Sequence, residues 1–127
     1  MGKLAGRWLM AAAVIHILLG AWFGRSALAS MAKEGFFNTV DPHKDRQLVF
    51  WFIFAGLVLL LLGHLIYWAA ATGRRLPAVL GWELLAVAVV GGVLMPVSGW
   101  FLIVVPGVLV VVASKKSKYS TQRAEGS

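Results

Sequence analysis

The feature that most constrains this chain is the run from Leu48 to Ala71, which is 24 residues long and contains no Asp, Glu, Lys or Arg. A helix of about 20 apolar residues crosses a hydrocarbon layer roughly 30 Å thick. The whole chain has the same character, since 60% of its 127 residues are hydrophobic and only 13% are charged, against about 25% charged in soluble domains. The sequence therefore predicts an all-α integral membrane protein. It excludes a soluble enzyme, a disordered chain and a nucleic-acid-binding module.

Uncharged runs predict four transmembrane helices, packed as a bundle in a domain of residues 1–114. Pro96 and Gly99 break the long apolar stretch that follows Pro77, because proline removes a helix donor and glycine permits a tight turn. Pro106 lies inside the last span, where we expect it to free a backbone carbonyl for a neighbouring helix. The predicted spans are residues 8–24, 48–72, 77–95 and 99–114.

The first span also has features of a secretory signal peptide. Basic residues precede its apolar run, and small residues at 27–29 offer a cleavage site, so residues 1–29 are the segment that would be removed. We favour an uncleaved span, because the run is longer than usual for a signal peptide, carries His16 and ends at Arg25 just before the cleavage site.

The basic residues predict that both ends of the chain are cytoplasmic in a multi-pass protein of the cell membrane. Eight of them flank the spans on that side, against four on the other. Residues 115–127 are predicted to form a flexible basic tail, which serves either to enforce the topology or to contact anionic lipid. The eight are Lys3, Arg7, Arg74, Arg75, Lys115, Lys116, Lys118 and Arg123.

Three ionisable residues lie inside the predicted spans: His16, His64 and Glu83. Such residues are costly in a bilayer and are functional candidates by default. Counted from the nearest flanking arginine, all three lie about 12–15 Å from the cytoplasmic border. We expect them to face the bundle interior, and Tyr67, one turn from His64, to orient a proton or a substrate oxygen.

Four interpretations of these residues are consistent with the sequence. A Glu–His pair can perform acid–base chemistry on a lipophilic small molecule, or bind one, with Glu83, His64, His16 and Tyr67 as the catalytic set. The same groups can relay protons in a small transporter, which at this size would be a homo-oligomer. They can be a purely structural clamp between helices, or the two histidines can be axial ligands of a haem. The chain has no cysteine, and the sequence assigns no metal or cofactor.

Two resemblances bear on these interpretations. The four short helices and single membrane carboxylate are similar to small multidrug exporters, but those carry the carboxylate on their first helix, where this chain has His16. More broadly, the chain resembles small uncharacterised bacterial four-helix membrane proteins, a family of unknown function. That resemblance covers most of residues 8–113 and implies a topology but no activity. The resemblance rests on four short motifs. They are His16 followed by Gly20, the Phe-Trp-Phe segment at residues 50–52, the Glu-Leu-Leu-Ala segment at residues 83–86 that precedes two glycines at 91–92, and residues 95–100.

Overall fold

The structure is a computed structural model that describes residues 1–95 and 100–126, and it is all-α, as the sequence predicts. Five helices form in the described residues. Each predicted span lies largely within one of the four longer helices, while the turn at 96–99, where the fourth span was expected to begin, lies outside the described residues. The helices are α1 Gly2–Phe23, α2 Arg25–Lys33, α3 Lys44–Ala71, α4 Ala78–Leu94 and α5 Phe101–Glu125.

Glycines let α1 and α3 pack in close contact along their length. A Cβ on Gly6 would lie 2.6 Å from the backbone nitrogen of Tyr67, and a Cβ on Gly63 would lie 2.9 Å from that of Met10. Real Cβ atoms do not approach other atoms so closely, so any side chain at these positions would push the helices apart. Small residues at such contacts bring backbones together and increase the dispersion attraction between helices.

The second close pair is α4 with α5, and it is built in the same way. A Cβ on Gly81 would lie 2.8 Å from the carbonyl oxygen of Gly107. The helix α1 also packs against α5, whereas α4 makes no close backbone contact with α1 or α3 in the described residues. The helices are therefore packed in the order α3, α1, α5, α4. The core contains side chains from all four helices: Ala5, Leu9, Ile66, Leu84, Ala88, Ile103 and Val110.

A hydrogen bond between side chain and backbone joins α1 to α5. Pro106 lies inside α5 and is fully buried, and it has no N–H to donate to the carbonyl of Leu102 one turn earlier. The indole Nε1 of Trp8 donates to that carbonyl instead, at 2.9 Å. The prediction that Pro106 frees a carbonyl for a neighbouring helix is therefore confirmed.

The short helix α2 was not predicted from the sequence. It begins directly after Gly24, where α1 ends and the chain bends, and it buries Ala27 and Met31. A Cβ on Gly24 would lie 2.4 Å from a methyl group of Val49, so the bend is seated directly on α3. The predicted spans rest on long apolar runs, and a nine-residue helix of low mean hydropathy contains none.

Two helices of the described chain, α1 and α3, are long and apolar enough to cross a membrane. The helix α4 is apolar but has 17 residues, which corresponds to about 25 Å and is short of a hydrocarbon layer of roughly 30 Å. In α5, lysines begin at Lys115, so the apolar part of this helix, residues 101–114, extends only about 21 Å. The arrangement of four spans therefore stays a prediction.

Residues 115–125, in the segment for which the sequence predicts a flexible tail, continue α5 as a helix. Lysine, alanine, glutamine and arginine in this segment are good helix formers. A hydrogen bond from the α3–α4 turn also holds this segment, since a guanidinium N–H of Arg75 donates to the hydroxyl of Thr121. Ser127, the last residue of the predicted tail, is not among the described residues.

Candidate functional site

His16 lies in the contact between α1 and α3. Its ring stacks on that of Phe52, with centroids 3.9 Å apart and planes 8° from parallel. Its Nε2 is 3.0 Å from the carbonyl oxygen of Phe52. Because a carbonyl oxygen only accepts, Nε2 carries the proton and donates. Gly56 makes room for the ring, since a Cβ there would lie 3.0 Å from Cδ2 of His16.

His64 is exposed on α3. Its Nδ1 donates to the carbonyl of Leu60 in its own helix, at 3.0 Å. In the neutral ring the other nitrogen, Nε2, is then a hydrogen-bond acceptor. Tyr67 lies one turn further along and is half-buried, and the guanidinium carbon of Arg7 lies 5.4 Å from the centroid of its ring, within range of a cation–π contact.

Glu83 is exposed on α4 and makes no hydrogen bond or ion pair within the part of the chain that the structure describes. The sequence predicts that it faces inward, whereas the structure places it outside the core. The reason is that α4 packs through Gly81, Leu84 and Ala88. At 3.6 residues per turn, a residue two positions after Gly81 lies on the opposite side of the helix.

The chain therefore does not bring the four candidate residues together. His64 and Tyr67 share a helix, and His16 is held between α1 and α3, but Glu83 lies on α4, which contacts neither of those helices closely in the described residues. An apolar groove between α2 and α3 contains none of the four; it is lined by Leu28, Met31, Val49, Phe50, Ile53, Phe54 and Leu57. In residues 1–95 and 100–126, no three His, Asp or Glu side chains lie close enough to hold a metal ion.

The charged cluster of Arg46, Glu34 and Thr39 was missed by the sequence argument, which counted these charges only toward the topology. Arg46 is buried and donates through both terminal nitrogens to the carboxylate of Glu34, at 2.7 and 2.9 Å. It also donates to the backbone carbonyl of Thr39 at 2.7 Å. The hydrogen bond from Arg46 lowers the pKa of the Glu34 carboxyl from its ordinary value. The two charged residues are 12 positions apart in the chain, on either side of the α2–α3 loop, so no periodic spacing reveals the pair.

Comparison with known proteins identifies a family but no individual relative. No curated protein and no solved structure matches the chain. A family model described as "Family of unknown function (DUF6463)" matches residues 1–117, which is most of the chain. The predicted resemblance to a family of unknown function is confirmed to that extent, and the chain belongs to the DUF6463 family.

Proposed function

We propose that the chain is a multi-pass membrane protein whose helices α1, α3, α4 and α5 all cross the bilayer, with both ends cytoplasmic. The observation that carries this proposal is the outward-facing apolar surface of its helices. Only 28% and 22% of the most apolar parts of α1 and α3 are buried. Phe23, Leu61 and Val93 are 77%, 69% and 77% exposed. Soluble monomers rarely expose continuous apolar patches of this kind, whereas hydrocarbon solvates them without cost.

The shorter helices fit this role if the bilayer adapts to them. A span shorter than the hydrocarbon layer is accommodated by local thinning or by flanking residues that reach the interface, at a modest cost per ångström. Lys115 and Lys116 follow α5's apolar part directly, and Arg74 and Arg75 precede α4. Long basic side chains at these positions extend the effective length of both helices.

Within this membrane domain, the polar side chains of α1 support a structural role. Trp8 donates to a carbonyl of α5 and His16 to a carbonyl of α3, so α1 is joined to both of its neighbours. We infer that the protein is a helical membrane subunit with a polar clamp, rather than an enzyme with an enclosed site.

Acid–base chemistry within one chain has less support, because Glu83 and the histidines lie apart. A haem iron at Nε2 of His16 would have to displace its bond to Phe52.

The absence of cysteine allows a direct test of this topology. Single substitutions Phe37→Cys, in the exposed α2–α3 loop, and Ser120→Cys, in the exposed end of α5, are expected to fall on opposite sides of the membrane. An impermeant maleimide should label Phe37→Cys in intact cells and Ser120→Cys only after permeabilisation. A chain in which only α1 and α3 cross would give the same pattern, so a third variant, Leu94→Cys at the exposed end of α4, is needed: it is labelled in intact cells only if α4 and α5 cross as well. All three variants should stay in the membrane pellet after alkaline carbonate extraction.

Two results would contradict the proposal. Release of the chain by carbonate would show that it does not cross the bilayer, and either equal labelling of Phe37→Cys and Ser120→Cys or no labelling of Leu94→Cys in intact cells would overturn the topology. The intact mass of the purified chain decides the fate of residues 1–29, because removal of a signal peptide would leave a protein without α1.

A further inference from the structure

We infer that in the membrane the exposed face of α4 is covered by a second copy of the chain, with Glu83 of one copy bonded to His64 of the next. The inference rests on the proposed membrane-spanning role. Glu83 interrupts a surface that is otherwise apolar, formed by exposed residues such as Val79, Val87 and Val90. A carboxyl group that faces hydrocarbon without a partner is strongly unfavourable, and no described residue of its own chain bonds to it.

His64 supplies the complementary group. Its Nδ1 is satisfied by Leu60, which leaves Nε2 on an exposed ring to accept from a neutral carboxyl or, when the ring is protonated, to donate to a carboxylate. His16 cannot take this part, because it is held in the α1–α3 contact and its Nε2 is already bonded to Phe52. Lipid chains offer no hydrogen-bonding group at this depth, whereas a second copy of the chain does.

The depths of the two residues match. His64 is seven residues before Ala71, where α3 ends, and Glu83 is five residues after Ala78, where α4 begins. With a rise of 1.5 Å per residue, they lie about 10 Å and about 8 Å from the same turn. Two copies inserted in the same orientation therefore hold these groups within about 3 Å of one level.

The positions of the two groups favour a head-to-tail contact over a two-fold one. The two groups lie on α3 and α4, the outermost helices of the packing order. A face of α3 on one copy therefore meets a different face, on α4, of the next copy. Such a head-to-tail contact repeats from copy to copy and closes into a ring when the rotation permits it. Each interface then contains one Glu83–His64 pair, so the polar site is complete only between copies.

Crosslinking tests the contact in the membrane. Two tagged copies are co-expressed, one with Val87→Cys and the other with Leu61→Cys, and the membranes are treated with a short bifunctional thiol crosslinker. These exposed positions lie about one turn from Glu83 and from His64, which both stay in place, and we expect a mixed, covalently linked dimer. The control pairs Val87→Cys with Leu18→Cys, an exposed position on α1, and should give at least tenfold less product. Equal yields in the two pairs, or no mixed dimer in either, would overturn the inference.

Substitution tests the chemistry of the contact. Glu83→Leu should raise the dissociation constant of the oligomer about 3- to 30-fold, as expected for loss of one interhelical hydrogen bond in a membrane, measured by energy transfer between labelled copies in lipid vesicles. Exchange of the two groups within one chain, Glu83→His with His64→Glu, should restore association. Val14→Leu, at an exposed position on α1 outside the proposed contact, should leave it unchanged.

The two proposals fail in different ways. If Glu83→Leu associates as tightly as the wild-type chain while both resist carbonate extraction, the oligomer contact is wrong and the membrane role stands. If the wild-type chain is released by carbonate, the membrane role fails first. Thermal unfolding of each variant, measured in parallel, separates lost association from lost folding.

Discussion

Trp8 and His16, taken as single residues, show how a membrane helix uses polar side chains to join its neighbours. Each donates to a backbone carbonyl of a different neighbour. Trp8 can donate to the carbonyl of Leu102 because Pro106 has no N–H with which to form the usual helical hydrogen bond to it. His16 reaches the carbonyl of Phe52 because Gly56 leaves space beside it.

The bond from Trp8 gives a prediction that depends on Pro106. Trp8→Phe should lower the free energy of unfolding in detergent by about 0.6–2 kcal/mol, the range for interhelical hydrogen bonds in membranes. The Pro106→Ala variant supplies an amide N–H to the carbonyl of Leu102, so in that background the same substitution should cost less. Denaturant unfolding of the four chains measures the coupling. Trp82→Phe, exposed on α4, is the matched control, and an equal loss in both backgrounds would contradict the assignment.

At the scale of helices, the two glycine contacts decide how closely the pairs pack. Gly6→Ala places a methyl group 2.6 Å from the Tyr67 backbone nitrogen and should lower the free energy of unfolding by about 1–3 kcal/mol, as overpacking does. Gly92→Ala is the control, because a Cβ there meets nothing within 4 Å. It should be neutral or raise stability by up to about 1 kcal/mol through helix propensity. Thermal unfolding of both variants measures the difference, and equal destabilisation would refute the close contact.

The loop between α2 and α3 should respond to acid. In the folded chain the hydrogen bond from Arg46 lowers the pKa of Glu34 below its ordinary value of 4.5. The stabilisation from this pair is therefore present above that value and is lost as the pH falls through the lower pKa of the folded state. Glu34→Gln should be less stable than the wild-type chain at pH 7, and the two should converge in acid. Thermal unfolding across this range tests the prediction, and a difference that persists in acid would exclude the pair as its source.

The sequence predicts the four longer helices well, because each depends on a local property, the length of a run with few or no charged residues. Where Glu83 points depends instead on which helix α4 packs against. That choice is made by Gly81 and Gly107, two residues in different helices whose contact no local pattern reveals. The Arg46–Glu34 pair could not be predicted from the sequence for the same reason, since it forms across a loop. Pro106 is the exception, because a missing N–H has a consequence that can be stated before any neighbour is known.

At the scale of the whole molecule, α1 is the organising element. It packs closely on α3 and also contacts α5, which carries α4. If residues 1–29 were removed, α3 would lose its main contact and the carbonyl of Leu102 would lose its donor. The packing of α3 and α5 in this structure therefore depends on α1, and loss of residues 1–29 would leave a different arrangement of helices.

The basic end of the molecule gives the last prediction. Arg75 ties the α3–α4 turn to Thr121, so Arg74, the lysines at 115, 116 and 118, and Arg123 are held at one end of the helices. Each such side chain near an anionic surface contributes about 1 kcal/mol of attraction. We therefore expect a higher melting temperature in nanodiscs that contain phosphatidylglycerol than in pure phosphatidylcholine.

Replacing the three lysines at 115, 116 and 118 by glutamine should remove most of that difference. Neutralising Lys33 and Lys44, at the other end of the helices, should not. Because these charges are exposed, the difference should also shrink in 1 M salt, where the screening length is about 3 Å. If the three-lysine variant keeps the full difference, the end of α5 serves only to set the topology.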